Sequence, residues 1–230
     1  MINKYKIIIL PFLLAFSVLF LSCHSIPCIT DADVLEQGVE VDGGFLGLYG
    51  EDIPPKTSGL DFWASSGFAE GGYIIRKGLG NNWETGFMIG ALGGAPDIGI
   101  DLKKQVLKID DFFASIDINS NISFAFVSLY SNLLLTKEIN FLSITSITGA
   151  GIQHKLLNGS KEGFYDAFED SGIMVFDPAD AAYMNIGLLI EFITNKNTAT
   201  EMRFGVYLLY QREITRWSSE VYILGIIWYW

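Results

Sequence analysis

Side-chain catalysis in this chain would have to start from very few groups. There are two histidines, His24 close to the N-terminus and His154 in Gln153-His154-Lys155. A serine or cysteine nucleophile needs a base and a group that orients that base, but His24 falls in a segment that reads as a tether and His154 at the rim of a strand. Cys23 and Cys28 are five residues apart, without Cys-x-x-Cys spacing or a further cysteine pair, so neither a zinc site nor a disulfide scaffold is expected. Glu162, Asp166, Glu169, Asp170, Asp177 and Asp180 crowd the stretch from about His154 to Ala181. Their spacing is not that of an EF-hand loop, and a solvated loop is expected rather than a calcium site. No catalytic residue, metal or cofactor is therefore assigned, and the chain is not expected to be an enzyme.

The remaining candidates are charges embedded in otherwise apolar, alternating segments: Arg76, Glu84, Asp101, Lys103, Glu191 and Arg203. Arg76 and Glu84 flank a polar turn at 77–82, and Glu191 and Arg203 flank another at 194–199. Hairpin strands would bring each pair face to face as cross-strand ion pairs.

The elements that must position these charges are strands. From Val39 onward, segments of period-2 alternation are separated by turns rich in Gly, Asn and Lys, and none has a sustained 3.6-residue period with caps. Ten strands are predicted at about 39–49, 66–76, 83–92, 98–107, 112–119, 122–135, 140–153, 182–193, 200–211 and 219–230. Met202, Phe204, Val206, Leu208 and Tyr210 share one face of the ninth, opposite Glu201, Arg203, Gly205, Tyr207 and Gln211. Met184, Ile186, Leu188, Ile190 and Phe192 share a face of the eighth, and Ile98, Ile100 and Leu102 a face of the fourth.

The expected fold is all-β: an antiparallel up-and-down transmembrane β-barrel of about 10 strands, with 8 to 12 possible. Three features favour an apolar face turned outward to lipid. Strand lengths suit tilted membrane strands, and aromatics gather near strand ends at Trp63, Trp83, Phe112, Phe141, Tyr183, Tyr210 and Trp217, as an interfacial girdle would. The third is the aromatic closing strand. In a barrel this narrow the inward charges are expected to plug the lumen rather than select ions.

Composition excludes several partners. Half of the 230 residues are hydrophobic and 18% are charged, with 24 glycines and 14% aromatics, which rules out a disordered chain and suits β-structure. The formal charge is −11. Once Lys4 and Lys6 leave with a signal, 13 basic residues face 26 acidic ones, so nucleic acid is not an expected partner and a polybasic membrane contact is disfavoured.

The N-terminus has the parts of an export signal: two lysines within Met1–Lys6, then Ile7–Leu21, apolar except for Pro11 and short for a membrane span. Leu19-Phe20-Leu21-Ser22-Cys23 resembles a bacterial lipobox, which implies cleavage before Cys23 and acylation of its thiol. Phe20 and Leu21 depart from the commonest form of the box. An ordinary secretory signal cut after Ser25 is the alternative. Because His24 rather than Asp follows the cysteine, the lipoprotein resemblance implies sorting to the outer membrane. The organisation expected is a signal peptide over 1–22, an acylated tether over 23–38 and a barrel over 39–230.

The chain stops on a strand in which Tyr222, Leu224, Ile226, Trp228 and Trp230 share one face. This resembles the closing strand of outer-membrane barrels, which the insertion machinery reads. Residues 58 to 155 also resemble a broad class of such barrels through Gly71-Gly72-Tyr73-Ile74-Ile75-Arg76-Lys77-Gly78, Trp83-Glu84-Thr85-Gly86-Phe87 and Gly99-Ile100-Asp101-Leu102-Lys103-Lys104. The His-x-Ser arrangement of barrel lipases and deacylases is missing. The leading expectation is a lipid-anchored outer-membrane barrel with a structural, surface-binding or narrow-pore role and an unassigned ligand. Its expected partners are membrane lipid and the insertion and lipoprotein-sorting machineries. The alternatives are a periplasmic soluble barrel lipoprotein enclosing an apolar ligand, and a barrel-embedded lipid hydrolase.

Overall fold

The computed structural model describes residues 30–52, 68–92, 95–123, 126–156, 180–196, 201–215 and 220–230. The expected export signal, Cys23, His24, Cys28, Trp63, Trp217 and nearly all of the acidic stretch between His154 and Ala181 lie outside the described residues. The regular elements described are ten strands: β1 (Glu40–Asp52), β2 (Phe68–Gly80), β3 (Trp83–Leu92), β4 (Ala95–Ile109), β5 (Phe112–Ser123), β6 (Phe126–Ile139), β7 (Leu142–Lys155), β8 (Ala181–Thr194), β9 (Met202–Glu213) and β10 (Glu220–Tyr229). Each pairs antiparallel with its sequence neighbours, and β10 closes on β1 from Gly43 opposite Tyr229 to Asp52 opposite Glu220. The expected all-β antiparallel barrel of ten strands is the observed fold.

The turns tell the two ends of the barrel apart. At one end β2–β3, β4–β5 and β6–β7 reverse through two residues, and Asn81, Asn82, Asp110 and Asn140 adopt positive φ there. Asn and Asp tolerate this conformation better than other non-glycine residues. The start of β1 and the end of the chain after β10 also meet at this end, where Asp42 and Trp230 exchange two backbone hydrogen bonds. The end of β1 and start of β2, and the end of β7 and start of β8, lie at the other end.

Most strand limits shift by one to four residues from the sequence expectation, and two of the shifts trace to polar residues that look like turn formers. Ser120-Asn121 suggests a turn after the fifth strand, yet β5 runs on to Ser123, with Asn121 and Ser123 buried on its inner face. Pro96-Asp97 suggests a break before the fourth strand, yet β4 starts at Ala95. A proline is tolerated near the first position of a strand, where its missing N–H costs little.

Alternation is inverted relative to a water-soluble barrel. On β4, Ile98, Ile100 and Leu102 face outward at 47%, 60% and 41% exposure, while Asp97, Asp101 and Lys103 are buried inside. Outward residues of the other strands follow suit: Leu46, Phe87, Ile118, Leu133, Ile152, Ile186, Leu208 and Leu224 are all exposed. This apolar surface encircles the wall, whereas patches on soluble monomers rarely exceed a few hundred Å². From Met184 to Phe192 the exposed face of β8 covers about 26 Å of strand at about 3.3 Å per residue. At a tilt near 40° that gives roughly 20 Å of height, close to the lipid-facing band of membrane barrels.

Candidate functional site: a strapped lumen

Arg76, Glu84, Asp101 and Lys103 lie on adjacent strands with side chains inside the barrel, each 4% exposed or less. Register places Arg76 opposite Gly86, Gly86 opposite Asp101 and Glu84 opposite Lys103. The Arg76 guanidinium therefore reaches both acids, with Nε 2.5 Å from Glu84 Oε1 and its two terminal nitrogens 2.7 and 3.0 Å from Asp101. Lys103 Nζ stands 3.1 Å from Glu84. Buried charges this close are tolerable because each is paired and hydrogen-bonded.

The other expected pair takes different partners. Arg203 bridges Asp31, Glu201 at 3.0 Å and Glu138 at 3.7 Å, and Lys196 holds the second oxygen of Glu138 at 2.7 Å. Glu191 is buried on the inner face of β8. The Arg203 guanidinium is drawn past it to Asp31, a residue read from sequence as part of a tether.

The N-terminal segment is the feature that sequence reasoning missed. Residues 30–36 are not a free leader to β1; they cross the lumen at the short-turn end. Ala32 is fully buried, Thr30 and Asp31 nearly so. The Ala32 N–H donates to Thr136 at 2.7 Å, and its carbonyl accepts from Ser115 at 2.5 Å and Gln105 at 3.3 Å. Lys103 donates to the carbonyls of Asp33 and Asp31 at 2.5 and 3.1 Å, and the Leu35 N–H donates to Glu84 at 2.8 Å. Side chains from β3, β4, β5, β6 and β9 thus hold one strap.

Gly78 lets the strap leave the lumen along the wall. Its N–H donates to the Val39 carbonyl, and a Cβ there would collide with the Glu36 carbonyl oxygen. The close approach admits only glycine. The two-aspartate composition of the segment suits the cations it meets, but without periodicity nothing in the sequence marks it as lumen filling.

Above the strap the lumen is two-sided. Ile74, Leu189, Tyr207, Leu209, Ile223 and Ile227 form an inward apolar cluster shared by β2 and β8–β10, with Leu134 and Ile147 against it. Opposite lies a polar wall on β4 and β5, continued by amides: Asn185 donates to Asn132 at 3.3 Å and Gln211 to Asn185 at 3.1 Å. The described inner wall thus carries charged and amide groups on one side and hydrocarbon on the other.

His154 sits on the outer rim with a side chain 68% exposed, paired with Asp180 at 2.8 Å. Among the described residues no His, Cys, Asp and Glu cluster of three converges on a metal-sized site. The closing strand and the residue after it place Tyr222, Leu224, Ile226, Trp228 and Trp230 on the outer face. Phe141 stacks with Phe192 at 6.5 Å and Tyr210 packs against Tyr222 at 5.1 Å, giving outward aromatics at both ends. Tyr183, expected in that girdle, instead points inward and is buried at 4%. It occupies an odd position of β8, the parity that faces the lumen.

No protein-family model matches the chain. No curated protein matches it either. Among solved structures, the NanC porin covers 81% of this chain and 97% of its own length at 9% identity, with a TM-score of 0.42. Ail of Yersinia pestis covers 84% and 99% at 9% identity and a TM-score of 0.35, and the outer membrane protein OprG of Pseudomonas aeruginosa 87% and 99% at 10% and 0.34. At these identities and TM-scores the likenesses carry nothing about ligand or role.

Proposed function

We propose that the chain is an integral outer-membrane β-barrel, lipid-anchored at Cys23, whose own N-terminal segment occludes the lumen. The inverted alternation carries this reading: exposed leucines, isoleucines and aromatics circle the outside while the ion pairs lie inside. In water such a surface would drive aggregation, whereas in a bilayer it is the solvated face. The export signal and the lipobox resemblance support delivery by the lipoprotein-sorting machinery, and the outward aromatic face of β10 supports recognition by the insertion machinery. With its lumen strapped, the barrel acts at its surfaces: structurally in the membrane, or as a binding module through the long connections at the end away from the strap.

The test is gel migration of outer-membrane extracts with and without heating, combined with mass spectrometry of the mature N-terminus. The expected result is a heat-modifiable band bearing acyl mass on Cys23. A band indifferent to heating would remove the barrel assignment, and an unmodified N-terminus at Ile26 would remove the anchor.

A further inference from the structure

The polar side of the lumen is continuous. Along β4 the inward residues are Asp97, Gly99, Asp101, Lys103 and Gln105, and opposite them on β5 stand Ser123, Asn121, Asn119, Asp117 and Ser115. All these side chains are buried, and none is apolar. The stripe runs from the loop end to the strap, which ends it where Ser115 and Gln105 hold Ala32.

Three oxygens on this stripe accept no hydrogen bond from the described protein: Asp97 Oδ1, Asp117 Oδ1 and Asn119 Oδ1. Their residues are 5%, 0% and 1% exposed. Leaving a buried carboxylate or amide oxygen without a donor costs kilocalories per group, and native proteins tolerate it where a partner from outside the chain takes the position. The charge balance selects that partner. Around the stripe, among the described residues, Glu84, Asp97, Asp101 and Asp117 face only Arg76 and Lys103, and Arg76 is already committed to Glu84 and Asp101. Successive acceptor oxygens on a net-negative wall suit small cations with part of their hydration, and disfavour anions.

We propose that the β4–β5 stripe is a path for small monovalent cations, stoppered at the short-turn end by the strap of residues 30–36. The proposal rests on the transmembrane reading above. The strap closes the path with its backbone at Ala32 and with Asp31 and Asp33, and its hydrogen bonds and ion pairs sit at one mouth, so loosening them opens the path without breaking the strand pairing of the wall.

The experiment uses the full chain in planar bilayers under a KCl gradient. Heat-modifiable migration first shows that each variant is a folded barrel, which tests the transmembrane reading separately. Two variants release the strap by different routes. Gly78→Val drives a side chain into the Glu36 carbonyl, and Asp31→Ala with Asp33→Ala removes its carboxylates. In each, a thiol introduced by Ala32→Cys, at a buried strap residue whose hydrogen bonds run through its backbone, reports displacement by reacting with a water-soluble maleimide. The unaltered strap is expected to give no steady conductance and to leave the introduced thiol unreactive. The released variants are expected to give resolved steps whose reversal potential has the sign of K⁺ permeating ahead of Cl⁻, and Asp97→Asn with Asp117→Asn to move that potential toward zero. Folded variants whose introduced thiol stays unreactive would overturn the strap as a stopper. Reactive but silent, or anion-selective, variants would overturn the cation path. If neither variant folds, the single changes Ser115→Ala and Thr136→Ala, which each delete one tether to Ala32, are expected to give brief cation-selective openings, and their silence overturns the proposal.

Discussion

Replacing Arg76 with methionine keeps much of the side-chain volume and removes the charge that joins two buried acids. The consequences for those acids are unequal. Glu84 keeps Lys103 at 3.1 Å and the Leu35 N–H at 2.8 Å, whereas Asp101 loses both of its guanidinium contacts, at 2.7 and 3.0 Å. The dominant cost is therefore the orphaned Asp101 carboxylate, and removing one partner of a buried pair costs about 3–5 kcal/mol. Asp101→Asn alone leaves Arg76 with Glu84 and an amide oxygen to donate to, at about 1–2 kcal/mol. In the double variant no carboxylate is orphaned, so it is expected to be no less stable than Arg76→Met and to fall short of additivity by at least about 1 kcal/mol. Urea unfolding of the four proteins in phosphocholine vesicles, followed by tryptophan fluorescence, measures the cycle. A loss below about 1 kcal/mol for Arg76→Met, or strict additivity, would refute the reasoning.

Gly86→Ala reaches the same pair sterically: its Cβ would collide with Asp101 Oδ2 and stand 2.9 Å from Arg76 Nη1. A loss of about 1–3 kcal/mol from overpacking is expected in the same unfolding assay. Ile100→Lys places a charge on the outward face near the middle of β4, where Ile100 is 60% exposed. The expected cost in vesicles is about 2–4 kcal/mol, while a barrel standing in water would show almost none. Trp228→Ala with Trp230→Ala is expected to reduce assembly by the cellular insertion machinery, read as the folded fraction in outer membranes, and to leave unaided refolding into short-chain lipid nearly unchanged.

Strands and facing were legible because one face of each meets a different medium from the other, which imprints period-2 alternation. The signal is cleanest on β4, where Ile98, Ile100 and Leu102 alternate with Asp97, Asp101 and Lys103. It blurs on β8 and β9, where Leu188-Leu189 and Leu208-Leu209 each put one leucine outside and one into the inward apolar cluster. A lumen partly filled with hydrocarbon erases the contrast between faces. The charges near Arg76 were legible as neighbours because a hairpin turn fixes their register. Arg203 was not, because its partner Asp31 stands 172 residues away, across a contact that no local pattern encodes. The strap was illegible for the same reason: its side-chain partners are distant in sequence, and many of its hydrogen bonds are made by backbone groups of Asp31, Ala32, Asp33 and Leu35, which carry no residue-type signature.

The most direct test of a barrel that spans the bilayer is to take away the lipid anchor and ask what still holds the chain in the membrane. Membranes carrying the Cys23→Ser protein, exported behind a cleaved secretory signal in place of residues 1–22, are washed at alkaline pH, and the pellet and supernatant are compared before and after heating. A spanning barrel remains in the pellet and stays heat-modifiable, because its apolar outer wall, not an acyl chain, keeps it there. Release of folded protein into the supernatant would contradict the account.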